Sequence, residues 1–173
     1  MLISNRMNST LNEQIGREFS ASLQYVAIAA HFDRESLPEL ARYYYRQAEE
    51  ERDHAMRMVR YVVDAGGRVE IPAITAPRGQ FGTTEEAVQA ALKGEMTVTQ
   101  EINALVDLTF QETDHITRNF LQWFVTEQLE EVSSAETLLR IVQRAGEQNL
   151  LHVEEYLARH RSAPEAVKSE DNA

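Results

Sequence analysis

Glu51 and His54 stand three residues apart, a spacing that on a helix brings a carboxylate and an imidazole to one face. Together they offer one oxygen and one nitrogen to a single metal ion. Their surroundings make the pair telling, because Glu51 lies seven after Tyr44 and seven before Met58, inside an apolar stripe. Three other segments repeat the anomaly. Glu18 lies three after Ile15, four before Ser22 and seven before Tyr25; Glu95 lies four after Ala91 and three before Val98. Glu127 follows Phe124 by three, and Glu131 follows Glu127 by four and precedes Ala135 by four. Each acid occupies a position that belongs to the core.

An ionised carboxylate taken out of water costs several kcal/mol unless a counter-charge meets it, and no Lys or Arg shares these stripes at that level. The positive charge must come from outside. With His54 neutral, two divalent ions balance Glu18, Glu51, Glu95 and Glu131. An oxygen and nitrogen shell without sulfur favours iron or manganese ahead of copper, with zinc as a competitor. Glu50, Glu127 and Glu130 are then either part of a third metal position or a wet acidic rim. Tyr25 and Trp123 lie one or two turns from a proposed ligand, which suits core packing and electron supply alike; Tyr25 is the candidate for a direct part in the chemistry. His31, His115, His152 and His160 lack such company and are expected at the surface. Gly16 and Gly94 interrupt helical segments within two residues of a ligand position, as a close backbone approach would require.

The acids must be carried by rods of similar length. Apolar groups spaced by three and four predict helices over about residues 8–34, 37–65, 84–112 and 114–145, and a shorter one over about 147–160. Ser36, Pro38 and Glu39 read as a capping box opening the second, and Gly66 with Gly67 as its end; Thr83 or Thr84 opens the third with Glu86 behind it. One or two residues join the first helix to the second and the third to the fourth, so each pair is antiparallel. Residues 66–83 can span ~60 Å when extended, against ~45 Å for a 29-residue helix, so they can return along the whole bundle. The second and third helices are therefore parallel. The fold class is all-α: a four-helix bundle with one long crossover and a short fifth helix. In that topology the inward acids, about ten to seventeen residues from the starts of their helices, fall at nearly one height.

Composition bounds the function. The 173 residues suit one domain, over residues 1–160, with 161–173 having the composition of a frayed tail. Twenty-eight Asp and Glu against 17 Lys and Arg give a net charge of -11, which repels nucleic acid and anionic membranes and attracts cations. The absence of cysteine excludes disulfides, thiolate metal sites and thiol nucleophiles. The longest apolar run, Tyr25 to Ala30, is far short of a spanning helix and the stretch from Met1 to Asn12 has no apolar core of the kind a secretory signal carries, so a cytoplasmic protein is expected. Met56, Val59 and Val63 lie off the main stripe of the second helix, where contact with another subunit would use them.

Over about residues 5–160 the chain resembles the bacterial non-haem ferritins. The likeness is carried by Glu-Phe-Ser-Ala-Ser-Leu-Gln-Tyr from Glu18 to Tyr25, by Ala-Glu-Glu-Glu-Arg-Asp-His-Ala from Ala48 to Ala55, and by the run from Phe120 to Glu131. It implies a ferritin-like fold and a ferroxidase centre in which Glu18, Glu51 and His54 surround one iron and Glu51, Glu95 and Glu131 the other, with Gln128 nearby. It also implies an accessory third iron site at Glu50, Glu127, Glu130 and Glu131. Haem is not expected: the haem-carrying relatives repeat Glu-x-x-His on the fourth helix, where this chain has Glu127 and Glu130, and carry a methionine where it has Arg52. Implied, finally, are a shell of twenty-four subunits and oxidation of Fe(II) by dioxygen or peroxide, the product passing into a ferric mineral. Glu112 and Asp114 are candidates for a pore, and Asp114 equally for a helix cap. The rival activity is a di-iron peroxide reductase or oxygenase without mineral storage.

Overall fold

The computed structural model describes residues 2–160. The tail over 161–173 lies outside them. Five helices follow in order: α1 (Asn5–Arg34), α2 (Pro38–Asp64), α3 (Thr84–Glu112), α4 (His115–Ala145) and α5 (Leu150–Arg159), the last preceded by a 3-10 turn at Glu147–Asn149. Among the described residues there is no strand, and no helix is long and apolar enough to cross a membrane.

Three helix starts carry local caps. Ser4 accepts from the Met7 amide at 2.9 Å, Thr83 from that of Glu86 at 3.1 Å, and Asp114 from that of Thr117 at 2.9 Å. The start of α2 departs from expectation. Ser36 sits in a left-handed turn at φ 62 and caps nothing, and Glu39 pairs with Arg42 at 2.7 Å instead of closing a capping box. Leu37, at the cap position, is buried in the core and has no side-chain oxygen to offer. The vacant role falls to Glu154 of α5, whose carboxylate accepts from the amides of Glu39 at 2.8 Å and Leu40 at 2.9 Å. A negative group on a helix N-terminus satisfies orphan donors and complements the dipole, so this contact docks α5 on the bundle.

The core is in two parts. One gathers Ile28, Phe32, Leu40, Tyr44, Val88 and Leu138; the other gathers Met7, Leu11, Met58, Ile102, Leu121 and Phe124. The first draws on the C-terminal half of α1 and the N-terminal half of α2 and α3, the second on the opposite halves, as a bundle with α2 parallel to α3 requires. Val59 of the off-stripe set packs against the second cluster, whereas Val63 is 59% exposed. His31 is a further correction: it is buried, with Nδ1 unpartnered, its ring 5.6 Å from Phe32 and 5.4 Å from Phe81. Phe81 covers it from the crossover, a neighbour 50 residues away that helical spacing does not reveal.

Polar side chains of α1 bind the crossover to the bundle. Asn12 donates to the Arg68 carbonyl at 2.8 Å and accepts from the Glu70 amide at 2.6 Å; Gln24 makes the same two-way contact with Arg78 at 2.8 and 2.9 Å. An extended segment with no sheet partner thereby has backbone groups met at Arg68, Glu70 and Arg78. Between these clamps a Cβ on Gly16 would collide with the Pro72 ring, so the close approach expected there is present, while at Gly94 a Cβ would meet nothing within 4 Å. Gly16→Ala therefore loses about 1–3 kcal/mol to overpacking despite the better helix propensity of alanine, and Gly94→Ala loses none. Thermal unfolding of the two variants beside the parent checks this.

Candidate metal centre

Between the two apolar clusters lies a layer of buried polar side chains from all four long helices: Glu18 and Ser22 on α1, Glu51 and His54 on α2, Glu95 on α3, Gln128 and Glu131 on α4. Their shared height follows from the antiparallel pairing and the returning crossover. Small Ser22 sits one turn beyond Glu18 and donates its hydroxyl to the Ala48 carbonyl at 2.7 Å, which lets α2 approach α1 here.

Glu18 and Glu51 are each 1% exposed. Nδ1 of His54 lies 3.5 Å from Glu51 Oε2 and 4.0 Å from Glu18 Oε2, and one ligand atom from each of the three residues falls within 4.8 Å of the others. Two oxygens there, Glu18 Oε2 and Glu51 Oε1, are buried with no hydrogen-bond partner. A buried lone pair that nothing in the protein satisfies marks a place for a cation or ordered water. A second group joins His54 to Glu127 and Glu131, again within 4.8 Å, so the imidazole stands between two clusters.

Glu95 belongs to neither group. Its carboxylate accepts from the Tyr25 hydroxyl and from Gln128 Nε2 at 3.2 Å, the same amide reaching Thr99 Oγ1 at 3.2 Å. Glu50 is half-buried beside Arg46, Nε to Oε1 being 3.7 Å, and Glu130 is exposed and outside both groups. The ring of Trp123 meets His54 edge-on at 5.3 Å and carries the Arg57 guanidinium 3.9 Å above its face. Two glutamines escaped the reading of the sequence. Gln14 donates to Glu18 Oε1 at 2.8 Å, and Gln47 to Glu131 Oε2 at 2.9 Å. Gln14 precedes Glu18 by four and Gln47 precedes Glu51 by four, so helical register beside a candidate ligand is the signal that finds them.

The electrostatics follow from this crowding. Burial first, then the charge of Glu51, holds the Glu18 carboxyl well above the usual range; burial and then Glu95 do the same to Glu51. Glu131 is pushed up to about 8 by burial and by the charges of Glu95 and Glu50. The Tyr25 phenol is raised by burial and by Glu95. Carboxyls of that kind either keep their protons or surrender them to a cation. The donor set of carboxylate oxygens and one imidazole suits a borderline or hard divalent ion.

Comparison with known proteins agrees with this geometry. Residues 8–145 match the family model described as a ferritin-like domain. Ferritin BfrB of Mycolicibacterium smegmatis is 45% identical over 161 residues, 93% of this chain and 88% of that protein. The bacterial non-heme ferritin of Staphylococcus aureus strain USA300 is 34% identical over 146 residues, 84% of this chain and 88% of that one. Among solved structures, the open-pore ferritin of the archaeon Archaeoglobus fulgidus superposes with a TM-score of 0.88 at 34% identity, over 91% of this chain and 97% of that chain. With its crossover bundle, its buried acidic layer and relatives of this likeness over nearly its whole length, the chain belongs to the ferritin family.

Proposed function

We propose that the protein stores iron, oxidising Fe(II) at the buried acidic layer and keeping the Fe(III) as mineral inside a shell of identical subunits, twenty-four in number. The observation that carries this reading is the pair of orphaned carboxylate oxygens on Glu18 and Glu51 beside His54. Iron is the substrate here. Glu18, Glu51 and His54 take one Fe(II); Glu51, Glu95 and Glu131 take the second, with Gln128 aligning Glu95. Each Fe(II) gives one electron to dioxygen, which leaves as hydrogen peroxide after accepting two protons; peroxide as oxidant takes the two electrons and two protons to become two waters. Carboxylates suit both oxidation states because they shift between bridging and terminal binding.

Glu127 and Glu131, with Glu50 and Glu130 toward the rim, lead the product away from the centre. When only one Fe(II) is bound, Tyr25 supplies the second electron that dioxygen or peroxide takes, its phenolic proton passing to Glu95, to which it already donates, and a tyrosyl radical being left behind. Haem has no part in this scheme. The domain over 1–160 carries the whole reaction, and apolar side chains left exposed on the single chain, such as Val63 at 59% and Leu129 at 73%, support burial against other copies. The acidic balance draws Fe(II) toward the shell.

Aerobic addition of Fe(II) gives a fast absorbance rise that saturates near two irons per subunit, followed by soluble mineral in a particle of shell mass on size exclusion. Glu51→Ala and His54→Ala slow the fast phase at least about tenfold while keeping parental helicity and mass. Oxidation by both at the parental rate overturns the assignment, and oxidation without mineral favours a peroxide reductase or oxygenase.

A pH dependence follows from Glu131. Its folded value of about 8 exceeds an unfolded value of about 4.3, so the metal-free protein is favoured while the group is protonated and loses that contribution as pH rises between them. Divalent ions compete with the same proton and bind more tightly over that interval. Thermal midpoints of the metal-free protein therefore fall from pH 5 to pH 8 more steeply than those of Glu131→Gln, and a stoichiometric divalent ion offsets the fall. Equal slopes for parent and variant refute the assignment of that proton to Glu131.

A further inference from the structure

Gln14 is fully buried one turn before Glu18, and its Nε2 donates to Glu18 Oε1 at 2.8 Å. The other oxygen, Glu18 Oε2, accepts no hydrogen bond from a protein donor and lies 4.0 Å from His54 Nδ1. One oxygen of this carboxylate is thus held by the protein, and the other is turned toward Glu51 and His54.

An amide can be inserted either way round, so something must fix its sense. On the outer side, Arg17 Nη1 donates to Gln14 Oε1 at 3.5 Å, while its Nε pairs with Glu101 Oε1 of α3 at 3.2 Å. Guanidinium nitrogens only donate, and an ionised carboxylate only accepts. Glu101 also takes a hydrogen bond from the Gln14 amide, so the outer end offers an acceptor as well as a donor; it is at the inner end, against Glu18, that a reversed amide would set oxygen against oxygen. The Arg17 side chain is 44% exposed and that of Glu101 23%, so the outer end keeps much of its hydration.

We propose that Gln14 is a positioning residue that holds Glu18 as a one-oxygen metal ligand, and that the Arg17–Glu101 pair anchors the outer end of its amide. This rests on the reading of Glu18, Glu51 and His54 as a metal position. The hydrogen bond occupies Oε1 and leaves Oε2 for the ion. Without it, Glu18 turns to bind through both oxygens, raising the coordination number of whatever sits there.

The test uses the full chain and Co(II) as an oxygen-stable probe, read by binding isotherm and by visible d–d absorption, which loses intensity as coordination number rises. Glu18→Ala loses one Co(II) equivalent. Gln14→Met, apolar and of similar length, keeps helicity and assembly, binds that equivalent about tenfold more weakly and shows a weaker d–d band. Arg17→Met leaves Gln14 in place and shows the same loss of intensity at smaller amplitude. If Gln14→Met matches the parent in affinity and band while Glu18→Ala has lost its equivalent, the positioning role is refuted and the metal position stands. If Glu18→Ala binds as the parent does, the metal position falls and this inference with it. Should Gln14→Met fail to fold, Gln14→Leu takes its place with the same readings, and an unchanged affinity and band there refute the proposal.

Discussion

The middle of this bundle is shut off from bulk solvent at the level where the chain places most of its inward negative charge. That conflict organises the molecule. Apolar packing above and below the layer keeps the helices together, so the acids cannot escape by splaying apart, and Glu18 and Glu51 are left with oxygens that no protein donor reaches. A core filled with leucine at this height would be more stable and would do nothing. The stability forgone is recovered when an ion arrives, because the Coulomb attraction acts where little solvent screens it.

The donors that do reach the layer are neutral ones. Gln14, Gln47, Gln128 and the Tyr25 hydroxyl each meet one carboxylate. A lysine or arginine in their place would satisfy the acids outright and close the site to cations. Neutral amides fix the orientation of the carboxylates without supplying a counter-charge, so the layer still favours a cation.

Much of this was legible in the residue order, and the boundary of legibility has a physical cause. Helical spacing put Glu18, Glu51, Glu95 and Glu131 on inward faces, and the lengths of the connections put them at one height; both are properties of a chain read locally. What failed depended on partners far along the chain. Ser36 has the chemistry of a cap, but the αL turn carries it out of place and Glu154 takes over, 115 residues beyond the Glu39 amide that it accepts from. His31 has the chemistry of a surface residue until Phe81 of the crossover covers it. Gln14 and Gln47 fall between these cases, for their register was visible but a glutamine on a helix is ordinary until the acid beside it is known to be buried. Glu130 marks the converse limit, since adjacency in sequence to Glu131 says nothing of depth, and a step of 100° around the helix carries it to the surface.

The contact between Glu154 and the first amides of α2 also has a bearing on the order in which the chain matures. During synthesis the hairpin of the first two helices leaves the ribosome long before residue 154 exists, so one end of it emerges with polar groups that only water can serve. The last helix then arrives as a latch, completing an element whose first residues were made more than a hundred codons earlier.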